Sequence, residues 1–193
     1  SLGESQFGIA RRESNFVFLY IGFGIGGSIV IDDGMYKGSA NAAGEIRHTT
    51  IMPDGPLCSC GNRGCLEGLA SEAAMLSRVR KHMPPQGDVE YIIKNKDREP
   101  FHTLLMDEAM YLGIGIANLI NTLNPSLVVI NGRITQLGDE FMEQIQKTVK
   151  ERSMIYREYK PRIVYSGTGR DAALLGAVAL VMKEVFENIS DHT

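Results

Sequence analysis

Apolar residues follow two rhythms along the chain. Residues 15–21 (NFVFLYI) are aromatic and β-branched, which predicts a strand, and they run into a glycine-rich turn at Gly22-Phe23-Gly24-Ile25-Gly26-Gly27. A second strand is expected at residues 28–31. Asp32-Asp33-Gly34 is a hairpin signal, with a return strand at 35–37 and a further strand at 46–51. A loop punctuated by Pro53, Gly55, Pro56, Gly61 and Gly64 follows. Residues 1–12 (SLGESQFGIARR) read as the end of a helix and its exit loop.

The second half has the longer period. Residues 71–82 read as a helix that Pro84-Pro85-Gln86-Gly87 interrupts. Between 100 and 123, Leu105, Ala109, Leu112, Ile116, Leu119 and Leu123 step by three and four, the signature of a helix with one apolar face. A buried-type strand at 126–130, a helix at 138–152, a strand at 162–165 and a closing helix at 171–187 complete the pattern. Hairpins first and α/β alternation later predict a mixed sheet flanked by helices, within one domain spanning 1–193.

Bulk composition narrows this picture. With 193 residues and 44% hydrophobic content, the chain is long enough to bury a sizeable core. A net charge of −3 without any Lys/Arg run excludes a nucleic-acid surface within it. No stretch reads as the run of about 20 apolar residues that a membrane span needs, and no signal-peptide pattern opens the chain. The three cysteines fall within eight residues and cannot all pair as disulfides, so a reducing cytoplasm and another use for the thiols are expected.

That use is a metal. The spacing His48-x9-Cys58-x-Cys60-x4-Cys65 supplies four ligands of the kinds zinc prefers, in tetrahedral number. A Cys-x-Cys pair reaches one ion across a short turn, and Gly61 and Gly64 let the chain bring the third sulfur round. Three incidental thiols beside a surface histidine are the bland alternative. A Gly/Pro loop has little core for such thiols to fill. With no free coordination position, the predicted site is structural and not catalytic.

At this point the residues resemble a known family. GFGIGGSIVIDDGMYKGSANAAGEIRH is similar to the signature of the ROK family (repressors, open reading frames and kinases), and CSCGNRGCLE to its zinc loop. A looser likeness continues through NPSLVVING and SGTGRDAALLGA. The resemblance implies an actin-like ATPase (RNase H-like) sugar-kinase fold of two lobes, a sugar between them, and a homodimer. The family's Glu-x-Gly-His motif falls on Glu45-Ile46-Arg47-His48. There the resemblance implies sugar contacts from Glu45 and His48, with His48 also on zinc, and from Glu67 just after the last zinc cysteine. The roles make physical sense, because a carboxylate accepts hydrogen bonds from neighbouring sugar hydroxyls and a shared metal fixes the segments that present them. Each glutamate alone would read as a solvated surface acid.

The resemblance also marks departures. Family members that phosphorylate sugars use an aspartate of an Asn-Asp motif as general base. That motif normally precedes a segment like Leu2-Gly3-Glu4, so it and the first phosphate loop are expected upstream of this chain, which should not turn over as given. The second phosphate loop, Gly-Thr-Gly in kinases, is Gly22-Phe23-Gly24 here, and Phe23 has no hydroxyl for a phosphate. The later Gly-Gly is Asn131-Gly132-Arg133, and Arg47 replaces the glycine of Glu-x-Gly-His. Arg47 is expected to be solvated or paired with protein. The reading is the effector-binding and dimerisation part of a sugar-responsive transcriptional regulator. It binds zinc and a sugar or sugar phosphate, and meets operator DNA through an N-terminal region outside this sequence. A truncated ROK sugar kinase is the enzyme alternative, and a zinc-stabilised interaction domain a third class.

Overall fold

The protein was analysed as a computed structural model that describes residues 2–169 and 174–179. Its centre is a five-stranded sheet of β1 (Phe16–Ile21), β2 (Ile25–Ile31), β3 (Gly34–Met35), β4 (Leu127–Gly132) and β5 (Arg162–Tyr165), in the order β3-β2-β1-β4-β5. β1 is antiparallel to β2 and parallel to β4, and β4 is parallel to β5. This is the expected mixed sheet. Asp32 and Asp33 both take positive φ, 48° and 64°, and make the tight β2–β3 hairpin that the Asp-Asp-Gly sequence signals. β2 starts three residues earlier than expected, directly after the Gly22–Gly24 turn, and β3 is shorter than expected.

Alternate strand residues face opposite ways. Val17, Leu19, Ile21, Val128 and Ile130 join the main core, whereas Phe16, Val30, Leu127 and Val129 form a second cluster on the other face with Ala10. β4 is thus buried on both sides, which is why its sequence is an unbroken apolar run.

The helices are α1 (Leu2–Phe7), α2 (Leu66–Ala70), α3 (Glu72–Val79), α4 (Val89–Lys94), α5 (Phe101–Leu123), α6 (Asp139–Arg152) and α7 (Met154–Tyr159). α5 lies at the centre of the main core, against α2, α3, α6 and α7. Its 23 residues are long and apolar enough to cross a membrane by length and composition, contrary to the sequence expectation. Leu105, Ala109, Leu112, Ile116 and Ile120 are buried inside the protein instead, as in a core helix.

Other differences have local causes. Residues 46–51 are not a strand. Ile46–His48 is a 3-10 turn, because the carbonyls of Glu45 and Ile46 are satisfied locally by the amides of His48 and Thr49, both at 3.1 Å, and by the Thr49 hydroxyl at 2.7 Å. The short α2, α4 and α7 are too brief to show a helical period. Side-chain caps start two of them: Asp88 accepts from Tyr91 N at 3.1 Å and Ser153 from Tyr156 N at 3.0 Å. The helix expected at 171–187 is helical over 174–179; the remainder lies outside the described residues.

Candidate metal centre and sugar site

The loop between the 3-10 turn and α2 folds back on itself. Ile51 N and Met52 N both donate to Gly64 O, at 2.7 and 3.2 Å, and Leu66 N donates to Thr49 O at 3.0 Å, so His48 and Cys65 are brought side by side. Gly64 has φ +64°, and a Cβ there would lie 1.5 Å from Met52 O, so no other residue fits this crossing. Within the loop, Cys58 N donates to Asn62 O at 2.8 Å and Gly61 N to Cys58 O at 3.0 Å, which turns Cys60 toward Cys65.

All four predicted ligand side chains converge: one donor atom from each of His48, Cys58, Cys60 and Cys65 lies within 4.8 Å of the others. Cys58 Sγ is 3.6 Å from His48 Nδ1, and Cys60 Sγ is 3.7 Å from Cys65 Sγ. A tetrahedron of thiolates around zinc, with bonds of about 2.3 Å, has edges of about 3.8 Å. The spacing therefore fits an ion and is far too long for a disulfide; all three cysteines are free. The Cys60 backbone amide, with smaller help from the Cys60, His48 and Cys65 side chains, lowers the Cys58 thiol to about 6 against the effect of burial. Burial first, then the adjoining cysteines, push the Cys65 thiol up to about 12. A divalent cation would let all three ionise together. The cluster could hold zinc, and with four protein ligands it would be a closed, structural site.

The other two predicted residues sit beside this cluster. Glu45 precedes the 3-10 turn and Glu67 lies in the first turn of α2. Arg47 stands between them: its Nε donates to Glu45 Oε2 at 2.8 Å, and its Nη1 is 3.9 Å from Glu67 Oε2. The Glu45 hydrogen bond holds the Arg47 guanidinium above its ordinary value. His48 Nε2 is 3.8 Å from Glu45 Oε2. The structure thus brings Glu45, His48 and Glu67 into one neighbourhood, and Arg47 is paired with protein.

Two further links were not readable from sequence. Glu67 Oε2 accepts from Ile25 N at 3.0 Å, which ties α2 to the start of β2 directly after the glycine turn. A Cβ at Gly24 would lie 2.5 Å from that same oxygen, so the second glycine of the loop gives Glu67 its room. The loop's own groups are also engaged: Gly22 N donates to Gly24 O at 2.9 Å and Glu72 N to Gly22 O at 2.9 Å. Phe23 points into solvent, 78% exposed. Arg133 does not extend across this region; its Nε donates to the buried Glu72 carboxylate at 3.0 Å, joining the end of β4 to the head of α3. No sequence signal pairs residues 61 positions apart.

The ROK family's sequence profile matches residues 1–184. The chain belongs to the ROK family. A xylose repressor of Caldicellulosiruptor bescii is 34% identical over 96% of this chain and 50% of the repressor. Among solved structures, the ROK hexokinase of Thermus thermophilus superposes with a TM-score of 0.83 at 29% identity, over 96% of this chain and 63% of the hexokinase. A ROK family transcriptional regulator, a homologue of the E. coli MLC protein, superposes with a TM-score of 0.80 at 30% identity, over 92% of this chain and 48% of the regulator. The ROK chain therefore has the actin-like sugar-kinase fold, and it spans about half the length of the repressors it matches.

Proposed function

We propose that this ROK chain is the effector-binding and dimerisation part of a sugar-responsive transcriptional regulator, with a structural zinc at His48, Cys58, Cys60 and Cys65. The observation that carries the sugar site is the meeting of Glu45 and Glu67, from two separate elements, around Arg47 and beside the zinc ligand His48. Zinc would hold the 48–65 loop so that both carboxylates face one ligand, with His48 Nε2 next to them. The likeness to xylose repressors favours a pentose or hexose effector in a homodimer. Operator DNA would be met by an N-terminal region outside this sequence. Sugar acts by differential affinity: it binds one arrangement of the lobes or subunits better and so shifts operator affinity.

The enzyme alternative is an ATP-dependent sugar kinase, and glucokinase and hexokinase relatives keep it in view. Phe23, with no hydroxyl, and the use of the Gly22 and Ile25 amides within the protein weigh against a phosphate site there. The test is calorimetry with pentoses and hexoses, D-xylose and D-glucose included, on a protein containing this chain. Glu45→Ala and Glu67→Ala should each lower sugar affinity by about 1.5–3 kcal/mol, the scale of a hydrogen bond to a charged group. Unchanged affinity in both variants rejects the assignment.

A further inference from the structure

Both carboxylates of the sugar site can only accept hydrogen bonds, and His48, once bound to zinc through Nδ1, has one ring N–H left. A sugar hydroxyl both donates and accepts. Two carboxylates and a single imidazole N–H would leave most of a sugar's acceptor capacity unmet, so further donors have to come from elsewhere. Arg47 has them. A guanidinium carries five N–H donors in a rigid fork. Only Nε–H is used here, on Glu45, while Nη1 stands 3.9 Å from Glu67, beyond hydrogen-bonding distance. Among the described residues the Nη groups have no hydrogen-bond partner, and the side chain is 41% exposed. Glu45 holds the guanidinium through Nε and leaves the Nη donors unused beside Glu67.

Charge then limits what can enter. Zinc with three thiolates and a neutral imidazole bears a net negative charge, and Glu45 and Glu67 deepen it. Arg47 cancels only one of these charges. A phosphorylated or acidic sugar would meet net repulsion, and a neutral polyol would not.

We infer that Arg47 contacts the ligand as the hydrogen-bond donor of the sugar site and, with the two carboxylates, sets that site for neutral sugars. This rests on the sugar-site reading above. The test compares wild type, Arg47→Met, which keeps length and removes the donors, and Arg47→Lys. Glu45→Gln and Glu67→Gln run in parallel. Calorimetry uses a panel of neutral pentoses and hexoses that includes D-xylose and D-glucose, together with their phosphate esters. Arg47→Met should bind neutral sugar about 10-fold more weakly, one hydrogen bond's worth, and Arg47→Lys should recover part of the loss. Zinc content and thermal midpoint should match wild type. In wild type each phosphate ester should bind more weakly than its parent sugar. Unchanged or tighter sugar binding by Arg47→Met overturns the inference, as does loss of zinc or of thermal stability in that variant, which would make Arg47 a scaffold residue. A phosphate ester binding as tightly as its parent overturns the neutral-ligand class. If the glutamine variants weaken binding and Arg47→Met does not, only the role of Arg47 fails. If none of the three weakens it, the sugar site itself is wrong.

Discussion

Cys65 is the member of the His/Cys cluster most dependent on its surroundings. It is fully buried, with its Sγ 3.7 Å from Cys60 Sγ and 3.6 Å from His48 O. A bare thiolate is unfavourable there, and a cation removes the penalty by sharing the charge. Protein purified without added metal should therefore contain about one zinc per chain by elemental analysis, since four ligands make one closed site. Cys65→Ser should lose it, and a chelator should expose the wild-type thiols to a thiol reagent as the loop loosens. Substoichiometric zinc, with all three thiols reactive in the native protein, would sink the metal site. The meeting of His48, Cys58, Cys60 and Cys65 was legible because their residue types and spacing suit one shared ion. The Arg47–Glu45 pair was open, because two residues i and i+2 meet only if the backbone tightens. Residues 46–51 read as extended, and the 3-10 turn decides it otherwise.

At the scale of elements, β4 and α5 were legible since each carries a long, regular apolar pattern. The contacts between elements were not. Gly132 has φ +120°, and a Cβ there would sit 1.9 Å from Ile21 O on the neighbouring strand, where β1 and β4 converge beneath the glycine loop. Gly132→Ala should destabilise the fold by more than about 2 kcal/mol in urea unfolding, because backbone strain and a steric clash combine. A midpoint within experimental error of wild type would contradict the strand geometry. Glu108 is the second hidden contact. On α5 it is wholly buried, and its Oε1 and the Nη1 of Arg78 on α3 both lack hydrogen-bond partners. Burial first holds its carboxyl well above the usual value; nearby Glu72 adds to this and Arg78 opposes it. A carboxyl raised in the folded state favours folding below its unfolded value near 4.3, and the benefit is lost as pH rises through the folded value. Thermal unfolding from pH 4.5 upward should show wild type losing stability relative to Glu108→Gln, with the gap widening as pH rises. Parallel profiles would mean that Glu108 keeps an ordinary value.

Across the whole molecule, one fold serves a hexokinase and a regulator alike, so within this shared part any difference in chemistry has to lie in side chains. The fold itself was legible through the glycine-rich signature and the 48–65 loop; how the groups of the glycine loop are engaged was not, because it depends on long-range partners. Gly22 is held by Gly24 and by Glu72 N, Ile25 N is taken by Glu67, and Arg133 is held by Glu72. These links join the glycine loop, α2, α3 and the end of β4 into one unit that gives a triphosphate neither a hydroxyl nor those two amides. A protein containing this chain should therefore bind ATP poorly. Phe23→Thr should raise nucleotide affinity by restoring the hydroxyl, while phosphoryl transfer stays absent, and Arg133 is left in place because it holds the buried Glu72 carboxylate. The decisive measurement is phosphorylation of pentoses, hexoses and N-acetylhexosamines by the full-length protein, beside sugar-dependent operator binding. Turnover on the order of 1–100 per second, the ordinary range for kinases, would make the enzyme reading the better one. Operator binding that responds to sugar without detectable phosphorylation is the outcome expected, because the glycine-loop groups a phosphate would need are engaged within the protein, whereas the Arg47 Nη groups have no hydrogen-bond partner among the described residues.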